Sequence, residues 1–436
     1  MSSPLQILDV KKDARRILVE RQSQRLVIAF ILTGLFFMLL PGTFLGVWNL
    51  LDISKAHLSS ALPQAWLQAH GQAQIFGWIG SFILGIGLYS LTKTQSTMLF
   101  PTKIGWSAWG LWTAGVTLRW LAGIVRWEWR VMLPLSGFLQ LAAFLFFFYA
   151  VRRHGPKGTG KPEPWMRMIV ASTIGFMLTL AVNLGLLVWL AWTGASPALP
   201  HVIDEEFVLL AVWGTVVPTI WGFNARWLPV FAGLKPTHGS RLMWAYVLSL
   251  AALALTFFDL LGLAAGAFLF AALLSIDALH VWERSIHAPK LLNIHSSFPV
   301  FVRLCYVWLV ISCVLGLLAA RFDHAGGVWG ASRHALTVGF AAAMVFVIGP
   351  RILPAFCGMR VLWSKQLMFW SLLLLHGGCL LRVSAEPLAY ENLWNPAWRI
   401  LPVSAVMELT AVTLFAINMM VTLARPPAHI SSSKGQ

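Results

Sequence analysis

Charge is scarce in this chain. Only 11% of its 436 residues are Asp, Glu, Lys or Arg, and just 16 are acidic. Hydrophobic residues make up 58%, and the mean hydropathy is +0.73. That composition excludes a soluble globular domain of this length and leaves a polytopic membrane protein. Cysteine is nearly missing too. Cys305, Cys313, Cys357 and Cys379 stand apart, with no CxxC and no CxxCH, which excludes a thiolate zinc site and covalently attached haem. The four read as small apolar core residues. There is no Walker motif, no Ser–His–Asp constellation and no HExxH, so phosphate-loop, serine-hydrolase and zincin chemistry drop out.

What remains is an all-α pattern. Twelve apolar stretches are long enough to span a bilayer at about 20 residues each: 26–50, 68–92, 104–125, 131–151, 167–192, 206–232, 241–260, 264–282, 299–320, 329–350, 364–385 and 400–424. Residues 26–424 therefore read as a single transmembrane bundle. A basic segment, 1–25, precedes it and a short tail, 425–436, follows. The first segment is too long and too charged for a cleaved signal peptide, so the first span acts as the insertion signal. The 152–164 loop is basic and rich in Gly and Pro, a flexible connection. Many of the 23 tryptophans suit the membrane interface, with some in the core.

Lys and Arg set the expected orientation. Of the 32, 23 fall at the termini and in the loops on their side, 7 fall on the opposite side, and Arg119 and Arg226 lie within spans. The positive-inside rule puts both termini in the cytoplasm. The net charge of +16 is then an affinity for anionic lipid rather than for nucleic acid. Even-numbered spans start at the outer surface, which brings His70 (second span) and His334 (tenth span) to the same depth on that side.

An internal echo accompanies them. The sixth span ends in RWLPVFAG (226–233) and the tenth in RILPAFCG (351–358), agreeing at Arg, Leu, Pro, Phe and Gly. The second, sixth and tenth spans thus look like equivalent members of three four-helix groups.

Imidazoles inside a bilayer are costly without a partner and are good metal ligands. His70 and His334, on separate helices at matched depth, are the candidate axial pair for a haem, with a histidine-bound copper as the alternative. Arg333 and Arg119 are the guanidinium groups best placed for haem propionates. Arg126, Arg130, Arg382 and Arg399 read as headgroup-snorkelling residues. The cluster of His201, Asp204, Glu205 and Glu206 opens the sixth span, where the helix terminus favours carboxylates, with an exterior cation site as the minor reading. His376 and Glu408 are intramembrane groups suited to a metal or proton role, or to bonding between helices. His280, His287 and His295 read as loop residues, with Asp277 a partner for Arg284. The seventh span has no histidine and the sixth none beyond His201, so a copper-and-haem oxygen-reducing centre cannot be built in the usual way.

At HGQAQIFG (70–77), RHALTVG (333–339) and the Arg-x-Leu-Pro-x-Phe elements at Arg226 and Arg351, the chain resembles the NnrS family of membrane haem proteins. The resemblance implies a twelve-helix bundle in the bacterial inner membrane, a non-covalent b-type haem with copper tolerated, and a part in the response to nitric oxide, with a redox partner. It also implies a likeness of architecture to the catalytic subunit of haem–copper oxidases. The family often has a second histidine two places after the first, and here that place is Gln72, which points to haem alone. A proton- or ion-coupled transporter, with its histidines and Glu408 along a polar path, is the competing expectation.

Overall fold

Long apolar runs without water to bond their main chain must satisfy it internally, and here they do so as helices. The computed structural model describes residues 4–58, 61–94, 102–154 and 163–426, with the side chains of 4–19, 91–94 and 154 left undescribed. Most of the 152–164 loop, the residues 427–436 of the tail, and the side chains of Lys11, Lys12, Arg15 and Arg16 therefore lie outside the described residues. The described residues are 83% helical and no strand occurs among them, so the fold is all-α. We number the helices α1 (Glu20–Ala56), α2 (Gln64–Ser90), α3 (Thr102–Ile124), α4 (Trp129–Arg153), α5 (Pro164–Thr193), α6 (His201–Phe231), α7 (Gly239–Phe257), α8 (Leu261–Ala278), α9 (Phe298–Phe322), α10 (Gly327–Phe356), α11 (Lys365–Tyr390) and α12 (Ala397–Ala424). All but α3 are long and apolar enough to cross a membrane by composition. The chain is a multi-pass membrane protein.

The helices are not equally central. In their most apolar stretch, α10 is 78% buried, α2 and α6 are 67%, and α1 is 61%, whereas none of the other crossing helices exceeds 50%. The four inner helices are also the four with a π-helical turn, at Met38–Phe44, Ala73–Gly80, Val212–Val216 and Ala335–Ala342. A π turn widens the helix by one residue and re-aims the side chains around it. Glycine lets neighbours close on these turns. A Cβ on Gly339 would lie 2.5 Å from the Trp308 ring of α9, and one on Gly80 would lie 2.6 Å from Trp112 of α3. The π turn of α1 contains Pro41, which has no N–H to give. Its loosened carbonyls are taken up by side chains: Thr43 and Gln74 donate to Met38, Trp120 donates to Pro41, and His70 donates to Gly42.

The echoed sequences end α6 and α10 in the same way. Each carries an internal proline (Pro229, Pro354) and stops at a left-handed glycine, Gly233 at φ 67° and Gly358 at φ 105°. Arg351 of the second element stacks over Phe231 of the first, 4.8 Å from its ring centre. The bundle closes on itself where α12 packs against α1. Trp112, Trp213 and Trp221 are fully buried, so these three indoles are core residues, not interfacial anchors.

At the end of the bundle away from the histidine pair, the α8–α9 connection is tied down. Ile286 and His287 donate to the Gly233 carbonyl, and Lys290 donates to Phe231. Asp277 pairs with Arg241 at 2.7 Å, which corrects the expected partner Arg284. His280 is buried and lies 2.7 Å from Glu283, which also meets Lys235 at 2.8 Å. Lys235, then His280, hold the Glu283 carboxyl below its ordinary value. A depressed carboxylate stabilises the fold above its unfolded pKa and loses that effect as pH falls through the folded value. Glu283→Gln should therefore melt lower than wild type near neutral pH, with the gap closing as the buffer is taken below the carboxylate range. A gap that persists in acid would refute the linkage.

Candidate functional site: a histidine-lined cavity

A cavity of about 380 Å³ sits among α1, α2, α6, α10, α11 and α12. Both His70 and His334 line it, so the sequence-predicted pair comes together on one space. Their ring orientation follows from the main chain. His70 Nδ1 donates to the Gly42 carbonyl at 2.9 Å, an acceptor exposed by the π turn of α1. The ring is seated because residue 46 is glycine: a Cβ there would lie 2.5 Å from His70 Cε1 and 2.7 Å from Nδ1. His334 Nδ1 donates to Gly330 at 3.1 Å, one turn back on its own helix. A carbonyl can only accept, so both rings carry their proton on Nδ1, which leaves Nε2 as the basic nitrogen of each. Histidines that bind a metal are commonly oriented in this way, one ring nitrogen donating to a carbonyl while the other faces the ligand space.

The charged lining differs in part from expectation. Arg382 does not snorkel outward. It is 8% exposed and grips Glu386 with two contacts, Nε–Oε2 at 3.0 Å and Nη2–Oε1 at 3.1 Å. Glu386 Oε2 is also 3.5 Å from His334 Nδ1. Any side chain on Gly330 would overlap the Glu386 carboxylate, so α10 is pared back to admit it. Sequence reasoning missed Glu386 because it ended the span at 385. Pro387 ordinarily breaks a helix and biases the residue before it away from helix, yet α11 continues to Tyr390. The signal available was the Arg382–Glu386 spacing of four, which stacks two opposite charges on one helical face.

Arg333 lines the cavity and pairs with Glu205 of α6 at 3.2 Å. Arg119 is buried within α3 but is not on the cavity lining, and its Nε has no partner. Asp204 does line the cavity. The acidic cluster opens α6 with Asp204 in the first turn, where a helix terminus favours a carboxylate, and with no side-chain cap. Glu205 instead joins Arg333 and His201, the latter at 3.4 Å. His201 reaches the cavity lining. His376 does not: its Nδ1 accepts from Trp308 at 3.0 Å, and its ring stacks on Phe301. Glu408 lines the cavity from α12 with a buried Oε1 that has no partner. No group of three or more His, Cys, Asp or Glu suited to a metal ion occurs among the described residues.

Several other polar atoms on the lining are buried and unpartnered: both amide atoms of Asn49, Oε1 of Gln72 and of Gln74, and Nε1 of Trp78. Such atoms cost free energy unless something occupies the space beside them. Between them lies an apolar wall that includes Val47, Leu50, Phe76, Ile79, Val212 and Val338. Apolar walls with a few convergent polar groups are the usual make-up of a cofactor or small-molecule site.

The fold and this cavity define a class: a multi-pass helical membrane protein with a histidine-lined internal site. The chain belongs to the family described as a domain of unknown function (DUF8744), whose model matches residues 170–424. That match takes in His334, Arg382, Glu386 and Glu408, whereas His70 lies before it. A comparison with curated proteins found no match.

Proposed function

We propose that the cavity holds a non-covalent b-type haem between His70 and His334, and that the chain is an NnrS-like protein of the nitric oxide response in a bacterial inner membrane. One observation carries the reading: two imidazoles on one cavity, each with Nδ1 tied to a main-chain carbonyl and Nε2 left basic. His70 and His334 would hold the group. Arg333 and Arg382 are the guanidinium groups on the lining, where the haem carboxylates would share them with Glu205 and Glu386, and the apolar wall excludes water from the group. When bound, the iron of such a group takes diatomic ligands and changes oxidation state. The positive-inside bias puts the site toward the exterior leaflet. Copper is the less supported occupant. Gln72 offers an amide oxygen where the NnrS family often has an imidazole, and neither His201 nor His376 joins the pair in a ligand group.

Purified protein made with ample haem supply should show a Soret band that is lost in His334→Ala, with iron and little copper by elemental analysis. A second reading, proton- or ion-coupled transport, has one observation in its favour: the unpartnered Glu408 Oε1 on a cavity bounded by six helices. A colourless wild-type protein would sink the haem proposal and leave transport.

A further inference from the structure

The two imidazoles are held by unequal chemistry. His334 has two acceptors near Nδ1, the Gly330 carbonyl at 3.1 Å and the Glu386 carboxylate at 3.5 Å. That carboxylate is itself locked by two contacts from Arg382. A carboxylate behind a histidine fixes the ring and strengthens its donor nitrogen. His70 has only a neutral carbonyl, Gly42 at 2.9 Å, and that carbonyl belongs to a π turn interrupted by Pro41.

The cavity is unequal in the same sense. Asn49, Gln72, Gln74 and Trp78 carry unpartnered buried polar atoms on the lining, and all four belong to α1 and α2, the helices that brace and carry His70. Elsewhere on the lining, α12 contributes one such atom, the acceptor Glu408 Oε1, and α10 and α11 contribute none among the described residues. Two of the unpartnered atoms, Asn49 Nδ2 and Trp78 Nε1, are donors.

Building on the haem reading, we propose that His334 is the fixed ligand and His70 the replaceable one, so that a small uncharged ligand with an acceptor atom binds on the His70 side and meets Asn49 and Trp78. Glu386 is then a positioning residue that acts through His334.

The test uses the full-length, haem-loaded protein in detergent, with carbon monoxide as the probe. His70→Gly should keep its haem, lose one axial ligand by its spectrum, regain it with added imidazole, and bind carbon monoxide at least about tenfold more tightly, because a competing side chain is gone. His334→Gly should lose most of its haem. Glu386→Gln should keep its haem while its midpoint potential rises, as a weaker donor favours the reduced iron. If that variant folds poorly, the neutral pair Arg382→Gln with Glu386→Gln gives the same readout. Asn49→Leu should shift the C–O stretching band without loss of haem.

Equal behaviour of the two glycine variants, or reversed roles, overturns the assignment of ligands. An unchanged potential removes Glu386 from it, and an unchanged stretching band removes the polar subsite. A wild type without a Soret band overturns the haem reading and this inference with it, whereas a coloured wild type with symmetric variants overturns the inference alone.

Discussion

Glu386→Ala is expected to destabilise the protein by about 3–5 kcal/mol, because it strands Arg382 as an uncompensated buried charge. Both side chains are under one-tenth exposed, and the guanidinium meets the carboxylate through two short contacts. Headgroup phosphate or water could rescue an arginine at the surface, but Arg382 is enclosed by α10, α11 and the cavity. The decisive comparison is the double variant Arg382→Met with Glu386→Leu. Replacing both members of a buried pair by apolar groups of similar bulk is often close to neutral, so the double variant should be more stable than Glu386→Ala alone. Thermal unfolding of wild type and both variants in one detergent measures this directly. If single and double variants melt together, Arg382 is not held by Glu386.

Gly46→Ala is the second large effect. The added methyl would sit 2.5 Å from His70 Cε1 and 2.7 Å from Nδ1, well inside contact distance. Either α1 retreats or the imidazole swings away from the Gly42 carbonyl, and the bond at 2.9 Å is lost. Overpacking of this kind costs about 1–3 kcal/mol. The variant should melt lower than wild type, and by the proposed function its visible spectrum should shift toward that of His70→Gly. The control is Gly110→Ala on α3, where an added Cβ meets nothing within 4 Å, and it should be silent in both measurements. A Gly46→Ala protein with wild-type melting and colour would mean that the ring is not seated against α1.

What could be read from residues alone was the part written in hydropathy and in rare residue types. Unbroken apolar runs marked the spans, because a bilayer demands them. His70 and His334 stood out because an imidazole has no cheap place there. What could not be read depended on partners distant in the chain. Arg382 looked like an interfacial residue until Glu386 was seen one turn further along the same helix, and Pro387 hid that turn. Arg119 was matched to the cavity by depth, yet depth does not say which way a helix faces, and its side chain lies off the lining. Asn49 carries no motif, and its two idle amide atoms have meaning only beside the cavity. The internal echo was legible at the ends of α6 and α10. The π turns of the inner helices were not, since one extra residue in a turn leaves an apolar run looking unbroken.

Those wide turns work like a half-step cut into a screw thread. An α-helix advances about 100° per residue, so removing a single residue from Ala335–Ala342 would let α10 rewind to even pitch. Because the wide turn absorbs its extra residue, the flanks would keep nearly the same phase, and the change would fall on the side chains inside the turn, Val338 on the cavity wall among them. A deletion outside such a turn has no slack to use up and would swing Arg351 away from Phe231 by about 100° relative to His334. Natural variation in this family should therefore confine single-residue gaps in the inner helices to their wide turns.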